Sequence, residues 1–157
     1  MKTLVLGLGN PLLRDDSVGL RVVEDLRESL PHLEDVDVDV DYWGGLRLME
    51  RMIGYDRAII IDAICTGSPP GTLHLLSTND IPTQRSSSAH DVNLPTALEM
   101  GRQAGAKLPS STDILLVGIE AEDVLTFAEN LTPDVEAAIP QAIDAVLDHL
   151  QLEREAL

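Results

Sequence analysis

The sequence predicts an α/β fold: an open, mostly parallel, twisted sheet of about five strands with helices on both faces and one strand antiparallel. Three observations carry this. Strand-length apolar runs alternate with segments whose apolar residues recur at helical spacing. The resulting order, β-α-β-α-β-β-α-β-α, is that of an α/β sheet covered on both sides. The third and fourth strands are joined only through Ser68-Pro69-Pro70-Gly71, too short for the crossover that a parallel pair needs. The strand that follows is therefore antiparallel and near an edge.

Each element has its own signal. Thr3 to Leu8 is a short apolar run and reads as a buried strand. Asp16 to Leu30 is helical, with Val18, Val22, Leu26 and Leu30 every four residues and Glu24, Arg27 and Glu28 on the other face. Asp35 to Tyr42 alternates Asp and Val, a half-exposed strand whose acidic side is a solvated sheet face. Leu46 to Ile53 is a short helix stopped by Gly54. Ala58 to Ile61 is a fully buried strand ending at Asp62, and Gly71 to Leu76 is the antiparallel one. Ser77 to Asp91 is a long polar loop, of a length usually reserved for function, with His90 at its far end. Leu94 to Ala104 is a helix and Asp113 to Ile119 a strand. Thr132 caps the last helix, with Pro133 in its first position and Val135, Ile139, Ala142, Val146 and Leu150 as its stripe; Pro140 should bend it.

Composition bounds the function. A chain of 157 residues predicts a single domain, residues 1–157, large enough to hold a core without disulfides. The net charge of −16, from 27 acidic residues against 11 Lys and Arg, repels phosphate backbones and anionic lipids. Nucleic-acid and membrane roles are therefore not expected. The lone Cys65 cannot form an internal disulfide, and MKTLVLGLGN shows no targeting segment, so a reducing cytoplasm and a monomer are expected.

Chemistry in such sheets collects at the carboxyl ends of the parallel strands. Gly7-Leu8-Gly9-Asn10-Pro11-Leu12 looks like a dinucleotide turn but has Leu12 where the third glycine belongs, and Asp15-Asp16 would repel a pyrophosphate. Gly-Leu-Gly-Asn-Pro also opens peptidyl-tRNA hydrolases, yet their Thr-Arg-His-Asn stretch is missing and the charge is wrong for tRNA. Asp15 or Asp16 at the first strand–helix junction, Asp62 at the third strand's end and His90 before a later helix lie where this topology converges. Alone, each has an ordinary structural role: helix cap, turn acid, surface histidine. Together, two carboxylates and an imidazole make a mixed O/O/N site with open positions, suited to zinc, nickel or iron. Cys65, three residues past Asp62, has no basic neighbour to activate it. Trp43 fits either a packed core or a partner-docking anchor.

Gly7-Leu8-Gly9-Asn10-Pro11-Leu12 with Asp15-Asp16, then Ile61-Asp62-Ala63, Pro70-Gly71-Thr72, Ser88-Ala89-His90 and Gly118-Ile119-Glu120, in this order, resemble the hydrogenase maturation endopeptidases. The likeness spans nearly the whole chain. It implies an enzyme that trims the C-terminal extension from the precursor of the [NiFe]-hydrogenase large subunit after nickel insertion. It implies Asp16, Asp62 and His90 as metal ligands and catalytic residues, with nickel brought by the substrate and no organic cofactor. Asp41 and Asp15 would orient ligands or shuttle a proton. The chain departs from the family pattern in Asp16 for a common Glu, Ser17 for Gly, and Asp41-Tyr42-Trp43-Gly44-Gly45 for Asp-Gly-Gly-Thr. The competing expectations are a non-catalytic metal-sensing chaperone, a hydrolase of another substrate with a resident metal, and a nucleotide-binding module.

Overall fold

Five strands form one sheet in the order β2-β1-β3-β5-β4, in a computed structural model that describes residues 1–30, 34–80 and 93–150. These are β1 (Thr3–Leu8), β2 (Val36–Asp41), β3 (Arg57–Ile64), β4 (Leu73–Leu76) and β5 (Ile114–Glu120). β1 pairs in parallel with both β2 and β3, and β3 with β5; only β4 is antiparallel, on the edge beside β5. The short Pro-Gly link thus reverses the chain as its length requires. Helices α1 (Val18–Ser29), α2 (Gly45–Met52), α3 (Leu94–Gln103), α4 (Pro133–Ala137) and α5 (Ile139–Leu150) complete the layers.

Strand alternation divides the core in two. Val5, Ile59, Ile61, Val117 and Ile119 pack with Val18, Val22 and Leu26 of α1 and with Ala142 and Val146 of α5. Leu4, Leu6, Ile60, Ile64 and Leu116 face the other way, onto Leu48 and Met52 of α2 and Ala97 and Leu98 of α3. β1, β3 and β5 are buried on both faces, which is why they read as unbroken apolar runs.

The structure corrects three details. Asp16 is not in α1: residues Asp15–Ser17 form a 3-10 turn and α1 begins at Val18. β3 does not stop at Asp62 but continues to Ile64, because Asp62, Ala63 and Ile64 pair with Gly118, Ile119 and Glu120. The last helix is two helices, not one bent one. Pro140 has no amide to give the Glu136 carbonyl, so α4 closes at Ala137 and α5 starts at Ile139 with the proline in its first turn, where no amide is needed.

The acidic side of β2 is half-exposed, as its alternation implies, and it also carries polar pairs. Arg51 pairs with Asp39 and Asp41, Arg47 with Asp41, and the Tyr55 hydroxyl donates to Asp37 at 2.6 Å. The Val side meets the α1 layer. The alternation therefore packs one face of an edge strand with aliphatic side chains and leaves on the other a partly exposed set of ion pairs and a hydrogen bond.

Candidate active site at the carboxyl ends of the parallel strands

The glycines of the first turn are there for packing. A side chain on Gly7 would meet the Gly19 carbonyl oxygen at 2.4 Å, and one on Gly9 the Asp16 carbonyl oxygen at 2.2 Å. One on Gly19 would strike the Ile61 and Leu8 carbonyl oxygens at 2.3 and 2.4 Å. These glycines let the turn and the start of α1 lie directly on β1 and β3. The same packing puts Asp15 and Asp16, both buried, at the start of the helical segment, where a pyrophosphate would meet two carboxylates.

That close approach delivers Asp16. Its turn packs against β3, and its Oδ2 accepts the Asn10 amide at 2.8 Å. Asp62 lies one residue past the point where Gly19 meets Ile61, with Gly118 in register beside it on β5. Its Oδ1 accepts the Ala63 amide at 2.8 Å. Both carboxylates are more than nine-tenths buried. Burial pushes the Asp62 carboxyl well above its usual range, and the Ala63 amide only partly offsets this. A cation brought against that carboxylate would return it to the charged form. His90 lies outside the described residues, as do His32 and the other residues from 81 to 92. Among the described residues no cluster of three His, Cys, Asp or Glu side chains forms a metal-holding group.

The neighbouring acids have other tasks. Asp15 is fully buried, and every partner it has here is a donor: the Glu122 and Asp123 amides at 2.9 Å and the Thr132 hydroxyl at 2.8 Å to Oδ2, and the Thr132 amide at 2.9 Å to Oδ1. It clamps the first turn to the segment between β5 and α4. Asp41 is buried against Arg47, Arg51 and the Tyr42 amide. Burial pushes its carboxyl up, but the amide and the two guanidiniums outweigh this and hold it below the ordinary range. Its carboxylate is fixed by these three partners.

Glu120 is a residue that sequence reasoning quoted without assigning a task. Buried at the end of β5, it accepts the Thr66 amide and hydroxyl and faces His74 Nε2 at 3.2 Å. It thereby pins the segment that follows Asp62. Its signal was the one that marked Asp62, an acid closing a buried apolar run. Cys65 sits among acids: burial, then Glu120, Asp62 and Asp15, all push its thiol up. That is the opposite of an activated nucleophile. Trp43 is 63% exposed, so it is not a core aromatic.

Known proteins agree with this architecture. The model of the family described as hydrogenase maturation protease matches residues 20–149. The hydrogenase 2 maturation protease of Escherichia coli (strain K12) is 34% identical over 154 residues, covering 96% of this chain and 92% of its own. The solved structure of the hydrogenase maturating endopeptidase HybD from E. coli superposes with a TM-score of 0.78 at 34% identity, over 98% of this chain and 94% of that one. The hydrogenase 2 maturation peptidase from Thaumarchaeota archaeon SCGC_AB-539-E09 gives a TM-score of 0.70 at 30% identity, over 97% and 99%.

Proposed function

Because this chain belongs to the hydrogenase maturation protease family, we propose that it removes the C-terminal extension of a [NiFe]-hydrogenase large-subunit precursor, in the cytoplasm and as a monomer, recognising the precursor through its inserted nickel. The observation that carries the reading is the pair of buried carboxylates, Asp16 and Asp62, that the first turn and β3 bring to the same end of the sheet. Asp16, Asp62 and His90 are the proposed ligands and catalytic residues, with the metal arriving as part of the substrate. Such a shared ion works as a checkpoint, since an empty precursor lacks the ion that links the two proteins. Held between the two proteins, the ion fixes the scissile peptide against the site and polarises its carbonyl or a water for hydrolysis.

The test is cleavage of purified precursor, with and without nickel, followed by intact mass. We expect a shortened product from the nickel-loaded precursor alone. Asp16→Ala, Asp62→Ala and His90→Ala should each abolish it while the circular-dichroism melt stays cooperative. Wild-type cleavage by His90→Ala would sink the ligand assignment. A loaded precursor that binds but stays uncut points to a metal-sensing chaperone. Stoichiometric zinc or iron in the freshly purified protein points to a hydrolase with a resident metal.

A further inference from the structure

Three large apolar side chains stand in water beside the Asp16 turn: Leu125 is 84% exposed, Phe127 80% and Leu12 58%. The backbone that carries them is tightly held. Leu13 and Phe127 form an antiparallel bridge, the Arg14 amide donates to the Thr126 carbonyl at 3.0 Å, and the Ala128 amide to the Leu12 carbonyl at 3.1 Å. The Asp15 amide donates to the Asp123 carbonyl at 2.8 Å, and Asp123 Oδ1 accepts the Leu125 and Thr126 amides. The Asp15 carboxylate closes the same segment from below. A loop so anchored holds these side chains in their exposed positions. Clustered exposed apolar groups of this kind mark contact surfaces, and aromatic ones carry most of the binding energy.

We propose that Leu12, Leu125 and Phe127 form a docking face for an apolar surface patch of the hydrogenase large-subunit precursor, set at a fixed offset from Asp16 by the Asp15 clamp. This rests on the proposed function above and adds the surface that recognises the protein rather than its metal. Two observations select this occupant over a second copy of the chain. The face is hydrogen-bonded through its backbone to the turn that presents Asp16, so a protein whose peptide reaches Asp16 comes close to it. Two copies would each bring a net charge of −16 to the contact and repel.

The test uses the full-length chain with Leu125→Ser and Phe127→Ser, singly and together, in steady-state cleavage of the nickel-loaded precursor. Both positions are exposed, so the melting temperature should not fall; Phe127→Leu, which keeps the apolar surface, is the conservative control. We expect the double variant to raise KM for the precursor about tenfold or more with kcat retained, and Phe127→Leu to stay near the parent. An unchanged KM, or a loss confined to kcat, overturns the docking face. So does a parent dimer, seen by sedimentation, that the substitutions dissociate. A parent enzyme that cuts no precursor instead overturns the proposed function itself.

Discussion

Replacing Asp15 separates a clamp from a helix-end charge. As a charge near the start of α1, Asp15 would contribute only about 0.3–1 kcal/mol. As the acceptor for four donors it should contribute more, and in a graded way. Asp15→Ala leaves the Thr132 amide and hydroxyl buried without an acceptor, at about 1–3 kcal/mol each, while the Glu122 and Asp123 amides lie nearer water. Relief of the buried carboxylate offsets part of this, which leaves a net loss of about 3 kcal/mol. For a domain of this size that lowers Tm by roughly 6–12 °C. Asp15→Asn keeps one acceptor oxygen. Placed where Oδ2 now sits, it still serves Glu122, Asp123 and the Thr132 hydroxyl, and its amide group opposes only the Thr132 amide. The expected loss is about 1–2 kcal/mol. Urea unfolding followed by circular dichroism measures both. An Ala variant as stable as the parent, or an Asn variant worse than Ala, would refute the reasoning.

Other consequences can be measured directly. Gly19→Ala would normally gain about 1 kcal/mol from helix propensity, but a methyl group 2.3 Å from the Ile61 carbonyl oxygen must push α1 off the sheet. The same urea titration should therefore show destabilisation, whereas a net gain would mean that α1 is free to shift. The Asp41 carboxyl, held below its ordinary range, contributes stability that is complete above about pH 4 and is lost as pH falls through its lowered folded value. Asp41→Asn should flatten the acid limb of the stability–pH curve, and an unchanged limb would remove Asp41 from it. Cys65, with its thiol pushed up, should react slowly with iodoacetamide at neutral pH, and Cys65→Ala should leave precursor cleavage unchanged.

Element order, the parallel core and the antiparallel edge are legible in the residues alone, because each follows from a local cause. Buried strands such as Ala58 to Ile61 are apolar on both faces, α1 repeats every four residues, and Ser68 to Gly71 is too short to cross over. The residues also pointed to the carboxyl ends of the strands, and Asp62 was legible there as an acid closing an apolar run. What local signals could not decide was the division of labour among neighbouring acids. Asp15 and Asp16 are adjacent and chemically alike. Yet the four donors around Asp15 come from residues 122–132, more than a hundred positions away, while Asp16 accepts an amide from its own turn. Asp41 and Glu120 likewise owe their roles to Arg51 and Thr66, partners that only the fold brings near. A carboxylate's task is set by the donors and charges packed around it, and that environment exists only once the sheet has closed.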